Sequence, residues 1–352
     1  IMKKTMMILA LLLISSAATL SAQDFSLPLK DGGSLCFYIT DTLNCTVSIG
    51  PVRGLKEIIV EQPKGSLDIP GSVKYGDKTY TVTAIKDQTF ADAKELTGVT
   101  IPSGITSIGA RAFAGCVSLT GVVFPAAEPT FGKDVFAECT SLTSISFGSD
   151  WQAVDCRIFP DSVSVSEIYI PAKVRRISNL KSLHALKAIS VDANNHYFSS
   201  SDGLLYSGDA KTLYACPVAR EGKVVVAEGA ESILQGAFSG CRGITEIVLP
   251  QTMHEFLYNE FASCQELKRL ELNSEIPPIT AKWNGSPVFA LYLQSPDVKV
   301  YVADAAYTRY KSAICSEAGE YETMSGRQKE SFDGGQLAGG NSLVRTKEDK
   351  KK

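Results

Sequence analysis

IGARAFAGCVSLTGVVFP, residues 108–125, is the stretch that decides the fold, because its pattern of apolar residues recurs at a fixed interval. Phe113 and Cys116 of this stretch are repeated 23 residues later by Phe136 and Cys139. The equivalent phenylalanines are Phe90, Phe113, Phe136 and Phe159, followed after an interruption by Phe238 and Phe261. A fixed period of about 20–29 residues indicates stacked supersecondary units, because one such unit cannot bury its apolar face alone.

Each repeat predicts a short strand followed by a compact turn. Residues 99–101 (VTI) alternate as a strand does, and Pro102 follows them where a strand must end, because proline has no amide hydrogen for the ladder. Phe113, Cys116 and Leu119 are three residues apart, which is the spacing of one face of a short helix or a 3₁₀ turn. The sequence therefore predicts one strand and one short helical segment per repeat.

Stacking of these units predicts an α/β solenoid with a single parallel sheet. We expect that sheet over residues 85–191 and 224–272, with the repeated phenylalanines stacked inside it. Residues 192–222 should leave the column and return to it, so that both arms stay continuous. The fifth copy, which starts at Ile177, is two residues shorter than the others and carries Leu180 where phenylalanine is expected.

The repeat at 108–125 and a second copy at 233–250, ILQGAFSGCRGITEIVLP, resemble the BspA-like leucine-rich repeat of bacterial secreted and surface proteins. The segment VDANNHYFSSSDGLLY at 191–206 resembles a segment that those proteins insert between repeats. The resemblance extends over roughly residues 36–312. It implies a leucine-rich repeat fold with one short parallel strand per ~23-residue repeat, and adhesion to host proteins or to other cells.

Changes in composition along the chain divide it into six parts. Lys3 and Lys4 precede an apolar run at residues 6–14 and small residues up to Ala22, which is the pattern of a secretory signal. After about residue 315 the chain is rich in Gly, Ser, Lys and Glu without an apolar period, which predicts disorder. The predicted parts are 1–22, a signal peptide; 23–84, an N-terminal β cap; 85–191, the first repeat arm; 192–222, an irregular hairpin insert; 223–315, the second repeat arm and C-terminal cap; and 316–352, a disordered tail.

The two caps contain shorter alternating segments. Gly76 and Asp77 predict the turn of a hairpin. We expect short strands at 36–39, 45–49, 58–60 and 66–70, the hairpin at 73–82, a closing strand at 298–302 and a short helix at 307–313.

Composition excludes several classes of function. The chain has 352 residues, of which 44% are apolar and 21% are charged, and its formal net charge is −3. This charge gives no positive electrostatic potential that would attract the phosphate backbone of a nucleic acid. We therefore expect no nucleic-acid partner. No apolar run beyond the signal is long enough to span a membrane. The protein is expected to be exported to the extracellular space, the cell surface or the periplasm.

No residue pattern predicts a catalytic site, a metal site or a cofactor. The nine cysteines include no CxxC pair, and those of the repeats are predicted to be buried small residues, with an occasional disulfide as the alternative. Asp192 and Asn194, followed by Asp202 and Gly203, are compatible with a calcium loop or with a turn, and the turn is favoured because the ligand spacing of a calcium loop is absent.

The open face of the sheet is the predicted binding surface. In each strand the apolar pair points inward, so the residues before and between that pair point outward. The residues predicted to contact a ligand are Tyr169, Arg269, Glu167, Glu246 and Glu271. The expected function is that of a non-enzymatic interaction module that binds an extracellular protein or glycan. The alternative is a secreted hydrolase with an active site that no motif reveals.

Overall fold

The computed structural model describes residues 25–29, 33–51, 62–159, 163–257, 259–283, 286–288, 291, 293, 298–315, 321–322, 329–330, 336–337 and 341–346. The signal peptide predicted at 1–22 lies outside these ranges. Within them the chain is rich in strands and has one α-helix and two short 3₁₀ helices. None of the helices in these ranges has both the length and the apolar character that crossing a bilayer requires.

The N-terminal residues form six strands. They are β1 Phe25–Pro28, β2 Ser34–Asp41, β3 Thr46–Ile49, β4 Gly65–Asp68, β5 Ser72–Tyr75 and β6 Lys78–Ile85. The predicted hairpin at 73–82 is confirmed, since β5 pairs antiparallel with β6 across Gly76 and Asp77. The strand predicted at 66–70 is confirmed as β4, whereas the one predicted at 58–60 lies outside the described residues.

The first repeats add nine short strands, two to most repeats. They are β7 Leu96–Thr100, β8 Ser107–Ile108, β9 Gly121–Val123, β10 Thr130–Phe131, β11 Ser144–Ser146, β12 Ala153–Asp155, β13 Glu167–Ile170, β14 Arg176–Ser178 and β15 Ala188–Val191. One series of parallel pairs joins β4, β7, β9 and β11, and continues separately as β13 with β15. A second series joins β6, β8 and β10, and continues as β12 with β14.

The prediction of one strand per repeat is therefore wrong, because the second series has no counterpart in the sequence-based expectation. Its strands are two or three residues long, too short to show a recognisable alternation. The predicted helical segments are mostly isolated hydrogen-bonded turns, such as the bond from the Cys116 amide to the Phe113 carbonyl. A residue with left-handed backbone conformation recurs in these turns at Gln88, Arg111 and Asp134, and it interrupts any right-handed helix.

The insert forms three strands before the repeats resume. They are β16 Phe198–Ser201, β17 Leu204–Ser207 and β18 Thr212–Ala215. Neighbouring strands of this group are antiparallel, and Asp202 and Gly203 make the turn between the first two. The insert is thus a β-meander. The prediction that residues 192–222 leave the column is wrong, because β18 pairs with β20 and residues of the insert are buried in both core clusters.

The second arm contains seven strands and the α-helix. They are β19 Gly222–Val225, β20 Ser232–Ile233, β21 Ile244–Leu249, β22 Arg269–Leu272, β23 Ala281–Trp283, β24 Ser286–Val288, β25 Lys299–Ala303 and α1 Tyr307–Cys315. Strands β19, β21, β22 and β25 form one parallel ladder, while β20 pairs with β18 of the insert. The predicted closing strand and the helix after it are confirmed as β25 and α1.

The predicted disorder of residues 316–352 does not hold for the part of this segment that the structure describes. Four strands lie there: β26 Tyr321–Glu322, β27 Lys329–Glu330, β28 Gln336–Leu337 and β29 Asn341–Thr346. Strand β29 pairs in parallel with β25 and extends the ladder of the second arm. The unpaired edge of a strand can pair with a further segment of chain, and here β29 pairs with the edge of β25. The average composition of residues 316–352 does not predict such pairing, because the pairing depends on a strand outside that segment.

The core is divided into two clusters, so the prediction of one continuous column is wrong. Phenylalanines 90, 113, 136 and 159 stack with ring centroids 5.1–5.5 Å apart in the first cluster. Phe238 and Phe261 lie 5.3 Å apart in the second. The boundary runs through β17, where Leu205 belongs to the first cluster and Tyr206 to the second. The shorter fifth repeat, with the smaller Leu180, ends the aromatic stack.

The predicted single parallel sheet is likewise wrong. The strands predicted to form that sheet fall into three separate sheets. One contains β4, β7, β9 and β11, the next contains β13 and β15, and the third includes β19, β21, β22 and β25. The first break follows β11, and the second coincides with the insert.

Candidate binding surfaces

The first sheet presents two rows of small residues to solvent. The strand register places Gly98, Gly121 and Ser144 side by side in one row, and Thr100, Val123 and Ser146 in the next. Val123 is an exposed apolar side chain in this second row, whereas Val122 beside it is buried. The predicted inward and outward directions are therefore confirmed for β7, β9 and β11, whose outward residues are small and uncharged. Asp68 of β4 continues the second row beside Thr100.

Tyr169 stands on the next sheet, on β13. It is 49% exposed and pairs with Ser190 of β15, while Glu167 of the same strand pairs with Ala188. The Tyr169 hydroxyl donates a hydrogen bond of 2.5 Å to Asp192 Oδ2. This bond holds the pKa of the Asp192 carboxyl below its usual value and raises the pKa of Tyr169. The ring is thus held at its tip while its face stays open to solvent.

The second arm carries a network of alternating charges across the three strands β19, β21 and β22, and Tyr301 of β25 adjoins it. Lys223 Nζ lies 2.9 Å from Glu246 Oε1, and Arg269 Nε lies 3.4 Å from the same oxygen. Arg269 also donates to Glu271 Oε2 at 2.9 Å. Its guanidinium lies 3.6 Å from the centroid of the Tyr301 ring, an attractive cation–π distance. The charges of this surface therefore neutralise each other within the chain.

The structure thus brings three of the five predicted residues together, Arg269, Glu246 and Glu271. Tyr169 and Glu167 lie on a different sheet, so the five residues do not form one site. Sequence reasoning did not identify Tyr301, although the signal was present. The alternation that buries Val300 and Val302 in the closing strand places Tyr301 on the outer face.

The repeat cysteines are buried thiols with a structural contact. Cys116 Sγ lies 3.1 Å from the Phe90 carbonyl, and Cys139 Sγ lies 3.1 Å from that of Phe113, so each thiol donates to the preceding repeat. Seven described cysteines are free thiols: Cys45, Cys116, Cys139, Cys156, Cys216, Cys241 and Cys264. Burial raises the pKa of the Cys156 thiol to about 12, which leaves almost no nucleophilic thiolate at neutral pH.

The segment that was compatible with a calcium loop forms a turn. Asp192 Oδ1 accepts hydrogen bonds from the backbone amide and the side-chain amide of Asn194. The buried Asn195 donates to the carbonyls of Pro171 and Val174 and accepts from the amides at 197 and 198. Across the described ranges, no three His, Cys, Asp or Glu side chains are grouped so that they could hold a metal ion.

The parallel ladders, the phenylalanine stack and the period of the turns are those of a leucine-rich repeat protein. The BspA type leucine rich repeat model matches residues 72–182 and 214–283 in six copies. The chain belongs to this family, as the sequence predicted. Among curated proteins, none matches the chain.

Several solved structures are similar to the chain. A leucine rich cell surface protein from Faecalibacterium prausnitzii is 20% identical. The aligned region covers 80% of this chain and 89% of that protein's chain, with a TM-score of 0.37. The pneumococcal vaccine antigen PcpA is 18% identical, and the aligned region covers 93% of this chain and 100% of the PcpA chain, with a TM-score of 0.43. A leucine-rich repeat protein from Bacteroides ovatus is 17% identical, with 79% of each chain covered and a TM-score of 0.38.

Proposed function

We propose that the protein is an exported, non-enzymatic interaction module of solenoid form, which binds an extracellular protein or glycan in the manner of an adhesin. Membership of a family of repeat proteins supports an interaction role, because stacked repeats present extended surfaces to large partners. The sequence of residues 1–22 supports export. The open face of the outer sheets is the proposed contact surface.

One observation carries this choice of surface: a half-exposed aromatic ring stands beside a row of small side chains. Tyr169 is fixed by Asp192 and costs little conformational entropy on binding, which is the property of an interface anchor. The small residues of β9 and β11 would let a partner backbone approach closely. Arg269 supports binding less directly, because its charge is already paired with Glu271 and Glu246.

The test is a binding screen of the chain without residues 1–22 against immobilised matrix proteins and an array of glycans. For any partner found, the double variant Tyr169→Ala, Arg269→Ala should weaken binding by at least about tenfold, as expected for anchor residues. The matched control is Tyr197→Ala, which removes another exposed tyrosine, located in the insert. Unchanged affinity of a folded double variant, or an equal loss in the control, would place the contact elsewhere.

A further inference from the structure

The break between the two arms leaves one strand without a neighbour. In earlier repeats the carbonyl of Ile85 accepts from the Gly109 amide at 2.8 Å, and the carbonyl of Ile108 accepts from the Gly132 amide at 2.7 Å. Ile177 of β14 holds the equivalent place in the fifth repeat. Strand β14 pairs only with β12, and no amide of the described residues donates to the Ile177 carbonyl. One edge of β14 is therefore open.

A cleft of about 430 Å³ lies along this open edge. Ile177 and Ser178 of β14 line it, together with Tyr214 and Ala215 of β18 in the insert. Gln235 and Gly236 of the second arm complete the lining that the proposal uses. Strand β12 contributes no residue, so the cleft is on the side of β14 that lacks a partner. The cleft is lined by Leu180, which stands in the short fifth repeat where the earlier repeats have phenylalanine.

The polar groups of the cleft favour a polypeptide over a sugar. The side-chain amide of Asn179 is engaged by Asp155 at 2.8 Å, and the Ser182 hydroxyl donates to the carbonyls of Cys156 and Asn179. Besides Lys181, the polar side chains left for sugar hydroxyls are those of Ser178, Tyr214 and Gln235. The open main-chain edge of β14 instead offers the pairing that an extended peptide requires.

The charge at the rim indicates the chemistry of such a peptide. Arg157 is paired with Asp155, and no salt bridge among the described residues includes Lys181. Burial raises the pKa of the Glu260 carboxyl, which accepts from the amides of Gly236 and Phe238, and the charge of Lys181 opposes that shift without a direct contact. The Nζ of Lys181 lies next to Gly236, 3.6 Å from the place where a Cβ on that residue would be. An acidic side chain of a bound segment would meet this ammonium group at the edge of an apolar floor.

We propose that the cleft between β14 and the second arm binds an extended, acidic polypeptide segment, which adds a strand to the open edge of β14. Strand β14 is three residues long, so about three residues of the partner would pair with it. This site is separate from the face that carries Tyr169, and it goes beyond the function proposed above.

The first experiment uses a peptide as the probe and leaves the protein unchanged. A labelled octapeptide copying residues 228–235 contains the ladder strand β20 and two glutamates. Two N-methylated forms are compared, one at the positions of Glu231 and Ile233 and one at those of Ser232 and Leu234. Because successive amides of a strand point to opposite edges, one form should lose at least about tenfold in affinity while the other binds as before. Fluorescence anisotropy measures both.

The second experiment locates the site on the protein. Lys181→Glu should weaken binding of the peptide at least about fivefold and favour a peptide with both glutamates replaced by lysine. Lys187→Glu, an exposed change in the same repeat outside the cleft, and Tyr169→Ala on the sheet face should leave binding unchanged. Circular dichroism checks that each variant is folded.

Three results would overturn the proposal. They are absence of saturable peptide binding up to about 1 mM, equal losses for the two N-methylated forms, and equal effects of Lys181→Glu and Lys187→Glu. Saturable binding of maltotriose, abolished by Lys181→Glu while the peptide does not bind, would identify a sugar site instead. Because Tyr169→Ala is tested in parallel, failure here is distinguishable from failure of the sheet-face function.

Discussion

At the scale of single residues, close approach of consecutive repeats restricts side-chain size. A Cβ on Gly132 would lie 2.3 Å from the Ala110 nitrogen in the preceding repeat. Gly132→Ala should therefore lower the free energy of unfolding by about 3 kcal/mol, because the backbone contact cannot relax. Urea denaturation followed by circular dichroism measures this change.

The matched control for this change is Gly121→Ala. A Cβ there meets its nearest atom, Ser144 Cβ, only at 3.9 Å. Its effect should lie within about 0.5 kcal/mol of zero, as for most surface substitutions. Similar effects of the two substitutions would contradict the close approach.

Asn195 is a second residue whose role is set by its contacts. Asn195 is 7% exposed, and its side chain forms four hydrogen bonds with backbone groups of the fourth repeat and the insert. Asn195→Ala should cost about 3 kcal/mol, because buried amides and carbonyls lose their partners. Asn194→Ala, at the exposed neighbour, should cost less than about 0.5 kcal/mol. Thermal denaturation compares the two, and equal costs would show that water replaces the Asn195 contacts.

At the scale of elements, Asp155 links the fourth and fifth repeats. Its carboxylate accepts from Arg157, caps the 3₁₀ helix Cys156–Ile158 and accepts from Asn179 of the next repeat. The hydrogen bond from Arg157 is the main cause that lowers the pKa of Asp155 to about 2. Because the folded pKa lies below the unfolded value, this stabilisation is present above about pH 4 and is lost as the pH falls toward 2.

Asp155→Asn should therefore destabilise the protein near pH 7 by up to about 1 kcal/mol, since the group is largely exposed to screening solvent. The difference from the unsubstituted protein should shrink as the pH falls from 5 to about 2. Urea midpoints measured across this range provide the test. Asp68→Asn, at an exposed position on β4, serves as the control. A difference that stays constant with pH would mean that the ionised carboxylate is not what links the two repeats.

The buried cysteine thiols also link neighbouring repeats. The thiols of Cys116 and Cys139 each donate to a carbonyl of the preceding repeat, so packing alone accounts for their positions. Titration with a thiol reagent should find most thiols unreactive in the folded protein and several reactive after denaturation without reductant. Finding only one reactive thiol after denaturation would indicate a framework of four disulfides.

At the scale of the whole molecule, the two core clusters should differ in local stability. Phe113→Ala and Phe238→Ala each remove a fully buried ring and should each cost about 3–5 kcal/mol. We expect Phe238→Ala to speed amide hydrogen exchange in β19, β21 and β22 more than in β7, β9 and β11, and Phe113→Ala to do the reverse. Mass spectrometry of exchanged peptides resolves the two arms. Uniform acceleration in both variants would show that the molecule unfolds as one cooperative unit.

The sequence by itself determined the repeat, the residues of each repeat that point inward, and most elements of the two caps. The 23-residue period identified Phe113 and Cys116 as buried, and local signals located the β5–β6 hairpin and the closing strand and helix. These features depend on contacts within one repeat or between similar neighbours, so each copy carries the whole signal. The outward position of Tyr169 followed from the same alternation.

Only the tertiary structure decided where the repeats stop matching. Four features depend on how unlike segments meet. They are the second ladder of very short strands, the division of the core within β17, the cleft along β14 and the stacking of Arg269 on Tyr301. The volume left between two such segments is set by both of them and by the path of the insert. A period in the sequence reports what repeats have in common, and therefore carries no information about a junction where they differ.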